Sequence, residues 1–246
     1  MRTVKMWSSF LVLVIVAWHE PATSQERVVH ALGSFEYVAT PDGVLIAAPH
    51  GTFDVYTDTL AIAAARQLGA GYVVARQFSL NKVRINVNRP TEGASLSCSQ
   101  ESRTARAQDV YGTYARLVTN AASGNPLRLY VEIHGNSNQR TAQQLEVATV
   151  GITVAQSKRV KDGYAAMLGR AKERASAYPE LTLLVEPLDR IYYTASCAKK
   201  IGIFATDIAP RGVHFEFPRA AREGDALQGS ASLVADIIRQ LLNELQ

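Results

Sequence analysis

Short apolar runs alternate with segments of helical periodicity along most of the 246-residue chain. The runs lie at Val44–Pro49, Tyr72–Ala75, Val83–Val87, Leu127–Ile133, Leu181–Val185, Ile201–Ala205 and Val213–Phe217, and the helical stripes lie at Thr57–Leu68, Glu101–Ala122, Lys161–Ala177 and Leu233–Leu245. Strands that alternate with helices favour a parallel sheet covered on both faces. The pattern therefore predicts an α/β fold, a single domain over residues 25–246 with a mostly parallel or mixed central sheet.

Composition and charge narrow the class of protein further. Hydrophobic residues make up 47% of the chain, and no repeat or low-complexity tract interrupts it, which excludes collagen-like, coiled-coil and largely disordered proteins. The 26 basic residues exceed the 22 acidic ones by only four and are scattered, so no nucleic-acid partner is expected. Because 19 of the 26 are arginine, whose guanidinium group binds carboxylates in a fixed geometry, we expect a small anionic substrate instead.

The N-terminal segment has the pattern of a secretory signal peptide. Arg2 and Lys5 precede the apolar run Phe10–Trp18. The small residues Ala22 and Ser24 lie three positions and one position before a predicted cleavage site ahead of Gln25. The apolar run is about half the roughly 20 residues that a bilayer-spanning helix needs. We therefore expect residues 1–24 to be removed, leaving a secreted or periplasmic protein without stable membrane insertion. The oligomeric state is left open.

Export changes the interpretation of the two cysteines, Cys98 and Cys197. An even pair in an oxidising compartment favours a disulfide bond, while two buried free thiols are the alternative. The spacing of the pair resembles no zinc-binding cysteine motif.

Two histidines follow predicted strands directly, and each is followed by glycine. His50 comes after the run that ends at Pro49, and His134 comes after Leu127–Ile133. Ligands of open α/β sheets bind at the carboxyl ends of strands, so the two imidazoles are expected to converge there. With the nearby carboxylate of Asp54 they form a set that suits a catalytic zinc ion, although histidines bonded to backbone at strand ends would give the same pattern.

Two further segments carry chemistry. Strand alternation places His214 and Glu216 on one face of the last predicted strand, where Glu216 fits a general base or, alternatively, a solvent-facing partner of an arginine. Asn88 and Arg89, held by Pro90, fit either a group that binds a substrate carboxylate or a surface turn.

The order of these motifs resembles the N-formylglutamate amidohydrolase family. It is His-Gly-x-x-acid, then Val-Asn-Arg-Pro, then strand-His-Gly, then strand-Glu-x-x-Arg, over roughly residues 40–242. The resemblance extends more distantly to zinc carboxypeptidases and poly-γ-glutamate hydrolases, which share the sheet architecture. It implies a zinc-dependent amidohydrolase, related to carboxypeptidases, that cleaves an acyl-amino acid, a peptide or a γ-glutamyl-type substrate with a free carboxylate.

The resemblance also assigns roles to individual residues. His50, Asp54 and His134 match the zinc ligands, with Asp58 competing with Asp54 because the acidic ligand often stands at another offset. The catalytic glutamate matches Glu216, and the residues that match substrate-binding positions are Asn88, Arg89, Arg219 and Arg222. Tyr111, Tyr192 and Tyr193 are candidates for lining the cleft, and His214 and Phe217 depart from the residues more usual around the glutamate.

Two other functions compete with the zinc enzyme. A non-catalytic exported binding protein would use the same cleft and arginines to hold a small anionic ligand. A metal-free esterase would need a serine in a Gly-x-Ser-x-Gly turn, and the sequence has no such pentapeptide.

Overall fold

A mixed eight-stranded sheet forms the centre of the computed structural model, which describes residues 24–78, 84–93 and 97–243. The strands are β1 (Glu26–His30), β2 (Gly33–Val38), β3 (Val44–Ala48), β4 (Gly71–Arg76), β5 (Ile85–Asn86), β6 (Thr91–Glu92), β7 (Leu129–Asn136), β8 (Gln144–Val150), β9 (Thr182–Val185) and β10 (Gly212–Pro218). The helices are α1 (Thr57–Leu68), α2 (Ala105–Ala121), α3 (Val154–Arg174), α4 (Ala198–Ile201) and α5 (Ala226–Asn243). All but the last residue of the predicted signal peptide lies outside the described residues.

The order of the sheet is β1-β2-β4-β3-β7-β10-β8-β9, with β5 and β6 forming a separate hairpin. Strands β4, β3, β7 and β10 are mutually parallel, so their carboxyl ends share one edge. Strands β2 and β8 flank this group in the antiparallel direction, which makes the sheet mixed. The centre of the sheet therefore brings the ends of β3, β7 and β10 side by side.

Helices cover both faces of the sheet, as the alternating pattern predicts. In β3, Val44, Ile46 and Ala48 belong to a core shared with α1, α3 and α5, while Leu45 and Ala47 belong to a second core shared with α2. The predicted α/β class is confirmed. All five residues of β3 are buried, as expected for a central parallel strand.

Two predicted strands have a different structure. Ile201–Ala205 is the end of α4 followed by a 3₁₀ turn, because Ile203 and Phe204 supply a short apolar run that periodicity alone cannot distinguish from a strand. Within Val83–Val87, only Ile85–Asn86 is a strand, and it pairs with β6 rather than joining the central sheet. Residue 83 lies outside the described part of the chain.

Some elements begin where the sequence analysis did not place them. Helix α3 starts at Val154, seven residues before the predicted Lys161, because Thr153 and Gln156 form a capping box there. Strands β1, β2 and β8 were not predicted, and all three take part in antiparallel pairing.

The Cys98–Cys197 disulfide is present. It joins the segment that precedes α2 to the residue that precedes α4, across 99 positions of the chain. In the described part of the chain, no helix is both long and apolar enough to cross a bilayer.

Candidate metal centre

The ends of the three central parallel strands converge on one buried site. His50 stands two residues after β3, and His134 lies in β7 beside Glu216 of β10 in the strand register. Asp54 reaches the same place from the turn between β3 and α1, where its backbone N–H donates to the carbonyl of His50. All four side chains are buried, with at most 8% of their surface exposed.

Three donor atoms in this site lie almost equally far from one another. The Nδ1 atoms of His50 and His134 are 3.1 Å apart, and they lie 3.2 and 3.3 Å from Oδ2 of Asp54. Ligand atoms about 2.0–2.2 Å from a zinc ion in tetrahedral geometry are separated by roughly 3.3–3.5 Å. The two nitrogens and one carboxylate oxygen therefore fit three corners of a zinc tetrahedron and leave the fourth free.

Glu132 supports this set from behind His134. Its Oε2 lies 3.0 Å from Nε2 of His134, and its carboxylate also accepts hydrogen bonds from Asn88 and Tyr130, at 2.8 and 2.9 Å. Because Nε2 can donate to the carboxylate, the Nδ1 atom of His134 is the one that would bind a metal ion, once it has lost its proton. Carboxylates that orient metal-binding histidines in this way raise their basicity and fix their tautomer.

A second group, Glu132, His134 and His214, also brings three possible ligand atoms together. Glu132 is completely buried, lines neither of the two cavities at the site, and already accepts from two side-chain donors. His50, Asp54 and His134, in contrast, each line a cavity. A catalytic metal needs a position open to substrate, so the His50–Asp54–His134 group is the better candidate for a metal site.

The electrostatics of the site separate its two histidines. Burial and the neighbouring Arg84 lower the pKa of His50 well below its ordinary value, so its ring is neutral. Burial also lowers the pKa of His134, but hydrogen bonds to Asp54 and Glu132 outweigh it and raise the pKa to about 9. Burial raises the pKa of Asp54, yet hydrogen bonds from the two histidines bring it well below its usual range. A buried carboxylate held ionised this way suits a cation.

Glu216 lies next to the metal-binding group without belonging to it. Its carboxylate is 3.4 Å from Nε2 of His214 and accepts a hydrogen bond of the same length from Asn136. The His214 ring stacks on the ring of His134, with centroids 4.0 Å apart. Glu216 is therefore linked to the candidate ligands through His214 and is not one of them.

Of the two aspartates that compete as the acidic ligand, the structure brings Asp54 to the histidines. Asp58 instead accepts a hydrogen bond of 2.6 Å from Nε of Arg76. Its side chain packs against Gly51, where a Cβ atom would lie 2.6 Å from the Cβ of Asp58. The glycine after His50 therefore makes room for the start of α1.

The structure places Asn88 and Arg89 at the cleft, but with partners inside the chain. Asn88 donates to Glu132, and Arg89 donates to both carboxylate oxygens of Glu101, at 2.8 and 2.6 Å. The carboxylate of Glu101 is almost completely buried. The guanidinium that was expected to bind a substrate carboxylate is thus already paired with a carboxylate of the protein.

Arg219 and Arg222 are also engaged. Arg219 is largely exposed and pairs with Glu223 four residues along. Arg222 is buried and donates to the backbone carbonyls of Phe217, Val55 and Asn136. Its guanidinium packs on Gly135 so closely that any side chain there would collide with it. The structure brings both residues to the rim of the cleft but does not assemble the predicted four-residue clamp.

Arg84 is the cation that the sequence analysis missed. It is partly buried beside His50, its guanidinium stacks 4.3 Å above the ring of Phe53, and its buried Nε atom has no partner among the described residues. Burial lowers its pKa, and the carboxylates of Asp54 and Glu216 oppose this effect. An arginine in such a place still carries its charge and offers donors to an anionic group.

Glu132 was the other omission. A signal for it was available, since Tyr130, Glu132 and His134 alternate along a strand whose other residues are apolar. For Arg84, the equivalent signal is the alternation of Arg84, Asn86 and Asn88 across the residues that lead into the Asn-Arg pair.

Comparisons with known proteins bear on the fold. Neither a family profile nor a curated protein sequence matches the chain. Among solved structures, the chain is similar to a bacteriophage poly-γ-glutamate hydrolase, with a TM-score of 0.50 at 10% identity, over 86% of this chain and 90% of that one. What the two share is the fold.

Two other solved structures are similar at lower TM-scores. One is a metallo-carboxypeptidase from Burkholderia cenocepacia (TM-score 0.47, 15% identity, 87% of this chain and 64% of that one). The other is the CwlD amidase from Clostridioides difficile, solved in complex with the GerS lipoprotein (TM-score 0.42, 13% identity, 82% of this chain and all of that one). The chain spans less than two thirds of the length of the carboxypeptidase.

Proposed function

We propose that the protein is an exported zinc-dependent amidohydrolase that cleaves an amide bond of a substrate with a free carboxylate. One observation carries the proposal. Three donor atoms of His50, Asp54 and His134 lie 3.1–3.3 Å apart at the edge of a cleft, and the carboxylate of Glu216 stands beside them on the next strand. Two histidines, one carboxylate and a separate glutamate are the parts that a metal-assisted hydrolase requires.

The side chains divide the work of hydrolysis between them. A zinc ion held by His50, Asp54 and His134 would polarise the substrate carbonyl and make a water molecule more acidic. Glu216 would take a proton from the attacking water and return it to the nitrogen of the departing amine, so the C–N bond breaks with one water consumed. Glu132 would hold the ring of His134 in place throughout.

The arginines of the predicted clamp are bonded within the protein, so Arg84 would supply the positive charge that binds the substrate. Its partly buried guanidinium lies against His50 and lines both cavities beside the ligand group. A substrate carboxylate, or the oxyanion that develops during attack, fits this position because a buried charged donor stabilises negative charge more than water does.

These charges support a substrate that carries both an amide and a carboxylate. An acyl-amino acid, a peptide and a γ-glutamyl-type polymer all offer an amide near a carboxylate. The similar bacteriophage protein is named as a poly-γ-glutamate hydrolase, so γ-linked glutamate takes first place among substrates to test. The N-formylglutamate resemblance adds N-formyl amino acids.

Export rests on two features of the chain. The N-terminal pattern is typical of a signal peptide, and the Cys98–Cys197 bond is of a kind that persists in oxidising compartments. We propose a secreted or periplasmic location.

Metal analysis and a substrate screen test the proposal together. Purified protein, freed of metal and then supplied with zinc, should hold close to one ion per chain and hydrolyse at least one substrate among formyl-, acetyl-, γ-glutamyl- and peptidyl-amino acids. The His134→Ala variant is the matched control and should lose both properties. Zinc below stoichiometry after reconstitution would overturn the enzyme assignment and favour a binding protein.

A further inference from the structure

The proposed metal centre lies at the junction of two cavities rather than at the end of one. His50 and His134 line the first cavity, and Asp54 lines the second. Arg84, Tyr193 and Glu216 line both. A substrate group positioned between the three ligands and Glu216 would therefore border both cavities.

We call the first cavity, of ≈ 360 Å³, the first arm. Beyond the reacting groups it is lined by Asn88, Arg89, Glu101, Tyr192, residues 194–198 and His214. The second cavity, of ≈ 570 Å³, is the second arm; it is lined by Phe53, Val55, Arg219, Arg222 and residues 135–138. Both volumes are of the size that accommodates a ligand of several residues or rings. Neither arm is a narrow channel that would admit only a water molecule.

The charged groups of the first arm are occupied within the protein. Arg89 and Glu101 form a two-pronged ion pair, and Glu101 also accepts a hydrogen bond of 2.6 Å from Thr91. An enzyme that recognises the end of a chain places an unpaired charge at a fixed distance from the reacting atoms, to bind a terminal carboxylate or amine. The first arm has no such group among its described residues.

The charged groups of the second arm are also bonded within the protein. Arg222 donates to three backbone carbonyls, and Arg219 pairs with Glu223 on the surface. Among the described residues that line the cleft outside the ligand group and Glu216, Arg84 is the charged side chain that has neither a carboxylate nor a backbone carbonyl as a partner, and it stands at the junction. A carboxylate bound there would belong to the middle of a substrate and not to its end.

Apolar surface continues along both arms. Tyr192 on the first arm is 61% exposed, and Phe53 and Val55 on the second arm are 50% and 38% exposed. Such side chains can bury part of their apolar surface against a bound chain, which stabilises the complex. Their presence on both sides of the junction fits a substrate that extends in both directions.

From these observations we infer that the enzyme is an endohydrolase, which cleaves an internal amide bond of a polymer that occupies both arms and carries a carboxylate next to the bond that is cut. The inference rests on the proposed amide hydrolysis and adds the position of the bond. Water supplies OH to the carbonyl carbon and H to the nitrogen, so two shorter chains result and nothing else is consumed.

Products from a blocked oligomer test this inference. A γ-linked glutamate oligomer, and its α-linked equivalent, would be offered to the zinc-loaded protein with free ends and with an acetylated amino end and an amidated carboxyl end. We expect the blocked and free forms to be cleaved at rates within a few-fold of each other, with fragments of intermediate length appearing before any monomer.

Release of single residues from the free form alone would overturn the inference and leave the proposed function intact. No cleavage of either form, with active hydrolysis of a single acyl-amino acid, would also overturn the inference. No hydrolysis of any substrate would overturn the proposed function itself.

Binding gives a second measurement that does not depend on turnover. In a Glu216→Gln background, the blocked oligomer should bind, and either Tyr192→Ser on the first arm or Arg219→Gln on the second should weaken that binding several-fold. Val29→Ser is the matched control, because Val29 is 77% exposed on β1, away from the cleft. An effect of only one arm's substitution would mean that the substrate occupies one side, and the inference would be wrong.

Discussion

The Nε2 atom of His134 lies 3.0 Å from the Oε2 atom of Glu132, on the same face of β7. Through this contact a completely buried carboxylate orients a proposed metal ligand. Replacing Glu132 with Gln should lower zinc affinity by about 10–100-fold, since histidine ligands lose basicity and orientation without such a partner. Competition with a chelator of known affinity measures the change.

Stability has to be followed in the same variant, because Asn88 and Tyr130 also donate to Glu132. Glu146→Gln is the matched control, since Glu146 is a buried glutamate of β8, two strands away in the sheet, and accepts hydrogen bonds from the N–H groups of Tyr192 and Tyr193. A folded Glu132→Gln protein with unchanged zinc affinity would show that Glu132 only stabilises the strand.

Glu216 should be separable from the metal site. The Glu216→Gln substitution keeps the size of the side chain and removes the base, so zinc content should persist while kcat for amide hydrolysis falls by about 100-fold or more. Metal analysis and steady-state kinetics on one preparation measure both properties. Unchanged kcat would assign the base to another group.

Arg84 gives a prediction about substrate charge. If its guanidinium binds an anionic group, Arg84→Gln should reduce kcat/KM for a carboxylate-bearing substrate by about 10–100-fold, the range expected for a lost charged hydrogen bond. Arg84→Lys keeps the charge without the planar geometry and should retain part of the activity. An amidated substrate that lacks the carboxylate should respond much less to either change, and equal losses on both substrates would argue against a carboxylate partner.

The amino-acid sequence predicts the class of fold because the central strands are short apolar runs separated by helical stripes. It also locates His50, His134 and Glu216, since each stands near the end of such a run. The antiparallel strand β8 was missed because its pattern, with Glu146 buried among apolar residues, resembles neither a solvated nor a fully apolar strand.

The sequence alone could not predict which charged side chains of the cleft pair with each other. Arg89 lies in the turn between β5 and β6, and Glu101 follows that hairpin. Whether the two side chains meet depends on how the segment after the hairpin packs, which the sequence does not show. The same holds for Arg222, whose partners are backbone carbonyls from three separate segments. Motif order identified which residues meet at the site, but packing decided which of them keep an unpaired charge.

Acid should weaken the fold through Glu36. Burial raises the pKa of this carboxyl, but hydrogen bonds from Arg76 and Tyr72 lower it below its ordinary value. A carboxyl whose folded-state pKa is lowered stabilises the protein above its unfolded pKa of about 4.3, and that stability is lost as the pH falls through the folded value.

In denaturant titrations from pH 6 down into the acid range, Glu36→Gln should reduce the loss of unfolding free energy by about 1 kcal/mol or less, because the pair is partly exposed to solvent. Lys158→Gln, which removes an exposed ion pair with Asp162, should leave the pH dependence nearly unchanged. A Glu36→Gln curve parallel to the wild type would contradict the assignment.

The disulfide should matter for both stability and the first arm, because Cys197 lines that arm and its partner Cys98 stands just before the segment that carries Glu101. Replacing both cysteines with serine removes a cross-link over a loop of 99 positions, which the chain-entropy model values at about 4–5 kcal/mol of unfolding free energy. Urea denaturation of the oxidised wild type, the reduced wild type and the double variant measures this loss, and the last two should agree. The wall of the first arm would also be less constrained, so the KM for an oligomer should rise more than the KM for a single acyl-amino acid. Equal stability in all three forms would mean that the folded packing alone holds the two segments together.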